Sequence, residues 1–261
     1  MLTGDNEKLE FESEYINRDS SYPLYKQIEN FIRNKIETKE WQIGQNVPPE
    51  QELAKKFGVS INTIKSAVKI LINEGYLSRK KGKGTYISQP KIQEALVQKL
   101  VGFYEDMTEK GYSLYSKVLR LAPVNAPVDI AEKLEIGKGE LVINLERIRY
   151  VNDEPICLVS SYYPYELCSG LLNEDLSNQS VYGLLETKYG LYVVRARRNL
   201  EAIVATKEDA KLLGIRHGDP IQLLESIAYL DTGRPVEYYI AKHRGDRSKF
   251  GVVISRSIIN R

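Results

Sequence analysis

Apolar positions fix the first element. Leu24, Ile28, Phe31, Ile32 and Ile36 follow one another at the spacing of a helix face, which predicts a helix of about two or three turns after Pro23. Ile43-Gly44-Gln45 and the Pro48-Pro49 pair break the stripe. A shorter stripe, Leu53, Ala54 and Phe57, predicts a helix from Glu50 to Phe57 that Gly58 stops. Ser60 has the hydroxyl and the position of an N-cap, and Ile64, Ala67, Val68, Leu71 and Ile72 carry a third helix as far as Gly75. Gly58-Val59-Ser60 is all that joins the last two helices, which is the spacing of a helix-turn-helix.

The period then changes. Tyr76-Leu77-Ser78 and Thr85-Tyr86-Ile87-Ser88 alternate on either side of Arg79-Lys80-Lys81-Gly82-Lys83-Gly84, which predicts two short strands around a basic glycine turn, a wing. Gln89-Pro90-Lys91 reads as a linker. Beyond it, Ile92, Leu96, Leu100, Phe103 and Met107 predict a helix ended by Gly111. Strands are predicted at 117–121, 141–151, 155–163, 191–205, 220–230, 235–244 and near 250–255, with helices at 130–134, 180–189 and 207–213. Val151-Asn152-Asp153-Glu154 and Asp231-Thr232-Gly233-Arg234 carry turn chemistry between runs of similar length, so both predict hairpins. The fold class is therefore α+β. An acidic tail (1–20) precedes a winged helix-turn-helix (21–88), a linker (89–91) and an antiparallel sheet domain (92–261).

Charge sharpens this division. Residues 1–20 hold six acids against two bases, residues 21–90 twelve bases against six acids, and residues 91–261 are balanced at 23 of each. Within 55–83, Lys55, Lys56, Lys65, Lys69, Arg79, Lys80, Lys81 and Lys83 face a single acid, Glu74, a density that suits a polyanion. Two cysteines, Cys157 and Cys168, and two histidines, His217 and His243, supply neither a disulfide framework nor a metal-spaced set, so no metal or cofactor is expected. No apolar run reaches membrane-spanning length and the acidic start is unlike a signal peptide, which predicts a soluble cytoplasmic protein with no membrane partner.

These residues carry a resemblance. PLYKQIENFIRNKI followed by PPEQELAKKFGVSINTIKSAVKILINEGYLSRKKGKGTYI resembles the winged helix-turn-helix of the GntR family of bacterial transcriptional repressors. VLRLAPVNAP, ELVINLERIRYVNDEPICLVSSYYP, SVYGLLETKYG and DTGRPVEYYIAKHRGDRSKF are similar to the UTRA effector domain of the HutC subfamily. The resemblance implies a homodimeric repressor of chorismate-lyase-like effector fold, which binds a double-stranded DNA operator and a small molecule such as a sugar phosphate. The DNA-reading set is then Gln51, Lys55, Ser60, Ile61, Asn62, Thr63 and Lys65, with Lys80, Lys81, Gly82, Lys83, Gly84 and Thr85 from the wing.

Strand parity proposes the effector wall. Arg147 and Arg149 share a face with Ile143 and Leu145, and Val193, Arg195, Arg197 and Asn199 repeat the arrangement. Arginine offers a two-point fork to phosphate or carboxylate. Surface arginines paired with acids explain Arg195 and Arg197 equally well. The resemblance favours Arg147 and Arg149, and adds Ser161, Tyr162 and Glu237, with Tyr239 sharing parity with Glu237; Ser161 and Tyr162 are also compatible with pairing inside the sheet. The acid that many sugar-phosphate-binding members carry before this Ser-Tyr segment is here Val159. No nucleophile–base set, phosphate-cradling glycine loop or metal spacing supports an enzyme, and an effector-independent DNA-binding protein is the third reading.

Members usually have Ser-Glu-Arg before the second helix and Ser-Arg opening the third; this chain has Pro49-Glu50-Gln51 and Ser60-Ile61. Arginine is the commonest reader of guanine, whereas isoleucine meets the thymine methyl and Asn62 can pair with adenine. Selection from random DNA is expected to return an operator richer in A·T than the family norm at those positions; the alternative is that both sites are relaxed and binding leans on phosphate contacts from Lys55, Lys65, Lys80, Lys81 and Lys83. A strong guanine preference at the half-site core would overturn the A·T expectation.

Overall fold

The three apolar stripes fold as helices: α1 (Leu24–Glu37), α2 (Glu50–Phe57) and α3 (Ile61–Glu74). Their buried faces, Ile28 and Ile32 from α1, Leu53 and Phe57 from α2, and Ile64, Ala67, Val68 and Leu71 from α3, form one core closed by Trp41. The helix boundaries follow from local chemistry. Gly58 sits at φ 62° and ψ 35°, a left-handed turn that lets the chain leave α2 and start α3 three residues later. Ser60 Oγ then accepts the Thr63 N–H at 3.1 Å and fixes the first turn of α3. The wing is β2 (Leu77–Lys80) antiparallel to β3 (Gly84–Ile87), and β1 (Asn46–Val47) adds a third strand to β3. The computed structural model describes residues 16–80, 82 and 84–254; most of the predicted acidic tail, together with Lys81 and Lys83, lies outside the described residues. At the end of that tail, Arg18 donates to the Gly58 carbonyl at 2.5 Å.

The chain divides into two compact units, residues 1–91 and 92–261. In the second, β5 (Leu114–Asn125), β6 (Leu141–Val151), β7 (Glu154–Pro164), β8 (Val193–Val204), β9 (Pro220–Leu230) and β10 (Pro235–Arg244) form one antiparallel sheet of order β5-β6-β7-β10-β9-β8. Both predicted hairpins are present, with Asn152 and Asp153 at positive φ in the first. On one face of the sheet lie α5 (Val128–Leu134) and α8 (Lys207–Leu213), packed by Ile130, Leu134 and Leu213. The other face carries α4 (Phe103–Glu109), α6 (Tyr165–Cys168), a 3-10 turn at Ser169–Asn173 and α7 (Val181–Tyr189). Among the described residues no helix is long and apolar enough to cross a membrane.

Three predicted elements are corrected. The helix drawn through Ile92, Leu96 and Leu100 exists only as α4; Ile92–Glu94 is instead β4, which pairs in parallel with β11 (Ser248–Phe250), and 95–102 has no repeating structure. A spacing of four apolar residues suits a turn as well as a helix, and here the partner strand takes the backbone. The last strand ends at Phe250 rather than running to 255. β5 is longer than predicted and passes through Pro123, which an edge strand tolerates because it needs no N–H on its open side.

The β4–β11 pair is pinned by a buried ion pair: His243 Nδ1 lies 3.0 Å from Glu94 Oε1, both fully buried, with the Phe250 ring edge-on to the imidazole at 5.1 Å. Burial alone lowers the imidazole pKa, but Cys157 and the Glu94 carboxylate more than offset it and hold it at about 10, above the ordinary 6.5. The stabilisation is therefore fully present below pH 6.5 and is lost as pH rises through 10. Thermal melts from pH 6 to 10 are expected to show the second unit losing stability in that window, and His243→Gln to flatten the slope. Parallel curves for the two proteins would exclude the pair as its source.

Candidate functional site

In the first unit, burial of Ile64, Ala67, Val68 and Leu71 turns Asn62, Lys65, Ser66 and Lys69 outward along α3. Lys65 and Lys69 line a shallow hollow with Arg79 of β2, whose guanidinium pairs with Glu50 at the start of α2. Gln51 and Lys55 are exposed one turn apart on α2. Ile61 is half-buried, and the hydroxyls of Ser60 and Thr63 lie 2.8 Å apart, so that pair is engaged in capping the helix. Gly82 and Gly84, at φ 78° and 81°, form the hairpin tip, with Lys80 paired to Gly84 in the ladder and Thr85 half-buried beside it. The result is a surface with a helix and a hairpin side by side, bearing cations spaced along the helix. Such a surface fits phosphates of a duplex.

In the second unit, Arg147 and Arg149 of β6 and Glu237 and Tyr239 of β10 line one cavity, joined by Arg198 of β8 and Ser226 of β9. Its mouth is closed by residues 101–105 before and within α4 and by 179–182 at the start of α7. Three guanidinium groups thus face two carboxylates, Glu105 and Glu237. Neither acid forms an ion pair with Arg147 among the described residues, although the charge of Glu237 still favours the ionised guanidinium. Glu237 accepts hydrogen bonds from the Tyr163 hydroxyl and, at 2.8 Å, from the Tyr182 hydroxyl. Glu105 pairs with the Ser180 hydroxyl, and burial raises its pKa. Arg147 is 2% exposed and donates to the Leu176 carbonyl at 3.1 Å, while its Nε and that of Arg149 have no hydrogen-bond partner among the described residues. Burial first, then the like charge of Arg149, push the Arg147 pKa down to about 10. Arg149 lies over the Phe103 ring, 5.0 Å from its centroid. A buried cation short of counter-charge, among tyrosine and serine hydroxyls, is suited to receive an anion that also carries polar groups.

Parity separates the predicted residues. Arg195 and Arg197 do not reach the cavity: a β-bulge between Val193 and Arg195 shifts the register against β9, so Val193 stays on the cavity face while Arg195 lies over Tyr229 on the opposite one. Arg198 takes the inward place instead. Ser161 and Tyr162 are neighbours on one strand and cannot share a face. Ser161 is buried on the side of Tyr163, and Tyr162 stacks on Tyr238 beneath α5. Tyr163, Tyr182, Ser180, Glu105 and Arg198 are not among the predicted site residues, although Tyr163, Ser180 and Tyr182 lie inside segments that resemble the UTRA domain. Among the described residues no group of three or more His, Cys, Asp or Glu side chains is placed to hold a metal ion.

Residues 24–87 match the family described as bacterial regulatory proteins, gntR family, and residues 109–249 match the UTRA domain. The HTH-type transcriptional repressor NagR of Bacillus subtilis is 36% identical over 90% of this chain and 96% of that protein. The mannosyl-D-glycerate transport/metabolism system repressor MngR of Escherichia coli is 29% identical over 90% of this chain and 97% of its own length. The crystal structure of PhnF from Mycobacterium smegmatis shares the fold at a TM-score of 0.74, with 23% identity over 89% of this chain and 99% of that one.

Ionised Arg147 destabilises the second unit at neutral pH, because a base whose pKa is depressed by folding carries its cost everywhere below that lowered value. Arg147→Met, which fills the same space without a charge, is expected to melt at or above the wild-type temperature. A drop of more than roughly 5 °C, the equivalent of about 2 kcal/mol, would show that the guanidinium holds the unit together.

Proposed function

The chain belongs to the GntR family of bacterial regulatory proteins, and from the cation-lined cavity of its UTRA domain we propose that its effector is a small anionic metabolite. It is a DNA-binding transcriptional regulator of the repressor type, with an effector-binding second unit. The observation that carries the proposal is Arg147, a buried guanidinium that forms no ion pair among the described residues and whose Nε has no hydrogen-bond partner there. An anion placed between buried Arg147 and half-buried Arg149 supplies the missing charge, and its energy of binding is raised because Arg147 is already out of water. The Escherichia coli relative represses a system for mannosyl-D-glycerate, a sugar bearing a carboxylate, which supports a sugar acid or sugar phosphate as the class.

In this reading two copies associate and set two copies of α3 on operator half-sites about one helical turn, roughly 34 Å, apart. Lys65 and Lys69 meet phosphates, Asn62 meets base edges, and the wing tip at Gly82 approaches the neighbouring groove. The cavity binds and releases its ligand unchanged, so the protein acts in the cytoplasm as a sensor and performs no catalysis. A ligand that binds one conformation better than another is sufficient for regulation.

Gel retardation of palindromic fragments tests both halves. Lys65→Ala should weaken binding to every sequence alike and reduce the salt slope by about 1, whereas Asn62→Ala should alter base preference. In a panel of sugar phosphates and sugar acids, at least one should change operator affinity in the wild type and leave Arg147→Ala bound to DNA but unresponsive. A variant that still responds would place the effector elsewhere, and turnover of a panel compound would favour the enzyme reading.

A further inference from the structure

One wall of the cavity is built from chain without repeating structure. Residues 95–102 connect β4 to α4, and Leu96 and Val101 close one side of the cavity. The segment's own bonds are few: the Gln98 and Lys99 N–H groups both donate to the Ala95 carbonyl, at 2.8 and 2.9 Å, and the Ala95 N–H donates to the Asp106 carboxylate at 2.9 Å. A single side chain from the edge strand β8 gathers three of its carbonyls. Arg198 donates through Nη1 to Leu96 O and, at 3.0 Å, to Lys99 O; through Nη2 it reaches Val101 O at 3.5 Å. Its Nε lies 3.4 Å from Ser226 Oγ. All these partners are neutral.

The same guanidinium lines the cavity with Arg147 and Arg149. The open space there is about 40 Å³, far below the roughly 300 Å³ of a usual metabolite site, so an occupant of that size requires a wall to move. To an anionic oxygen a guanidinium adds Coulomb attraction and a two-point fork that a neutral carbonyl does not offer. Arg198 thus has two competing sets of acceptors, the carbonyls of the wall and an anion in the cavity.

We propose that Arg198 is an anion-operated clamp: it holds segment 95–102 against the cavity, and an anionic ligand draws its guanidinium off the carbonyls and frees that segment. The freed chain lies between β4, which the Glu94–His243 pair holds, and α4, so the ligand's charge is converted into slack between the first strand of the second unit and the helix over the cavity. The bonds to the ligand form only with the clamp open, which supplies the difference in affinity between two states that any switch needs. This inference rests on the anion reading of the cavity given above.

Hydrogen exchange of the full chain, followed by mass spectrometry, reads the clamp directly, with inorganic phosphate as the probe and sodium chloride of equal ionic strength as the control. In the wild type, phosphate should raise the melting temperature and speed exchange across 95–101 by on the order of tenfold, the opening cost of one or two charge-assisted hydrogen bonds. Arg198→Met should show the fast exchange already in chloride, with no further increase in phosphate. Arg198→Lys, which keeps the charge but loses the fork, should lie between them and guards against a Met variant that fails to fold. Absence of any melting shift in the wild type sinks the anion reading and the clamp's release with it. A melting shift without faster exchange over 95–101, or an Arg198→Met protein as protected there as the wild type, sinks the clamp alone.

Discussion

An antiparallel sheet gives each side chain one of two faces, and a single extra residue in a strand exchanges them. The second unit depends on this constraint. β6, β7, β9 and β10 bring Arg147, Tyr163, Ser226 and Glu237 to one side, where α4 and α7 close over them; the other side is spent on α5 and α8 and holds Tyr162, Tyr229 and Tyr238. The bulge that sends Arg195 out to Tyr229 is the same one that sends Arg198 in. Cavity charge is therefore decided by a backbone irregularity on an edge strand as much as by which arginines the strand contains.

The two units use cations in opposite ways. On α3 the lysines stand in water, where their field is screened within about 8 Å at physiological salt and their contribution to binding varies with ionic strength. Arg147 stands out of water, where screening is slight and the missing counter-charge is felt at full strength. Recognition of a long polyanion suits the first arrangement, since many weak contacts add. Recognition of a small anion suits the second, since a few contacts must suffice.

What was legible in the sequence was local. α1, α2 and α3 appear in their apolar spacing, and their ends in Gly58, Ser60 and Gly75, because caps and helix faces are set within a turn of chain. The two hairpins were legible for the same reason. Arg147, Arg149, Glu237 and Tyr239 line the cavity as expected from strand parity together with the resemblance, which singled out the two arginines and supplied Glu237. Arg198 was hidden by a bulge that no residue in Val193-Val194-Arg195 announces. Glu105, Ser180 and Tyr182 reach the cavity from segments distant in sequence, and the extended form of Ile92–Glu94 depends on a strand more than 150 residues away. Such facts belong to tertiary pairing, which a periodicity cannot encode.

The parallel pairing of Ile92 with Ser248 has a consequence for architecture at large. It lays the first strand of the second unit alongside its last described one, about 4.8 Å apart, with Ile92 beside Ser248 and Glu94 beside Phe250. A first strand whose partner lies this far along the chain is in place only when the sheet between them has folded. The strand next to the linker thus reports whether the whole sensing half is assembled.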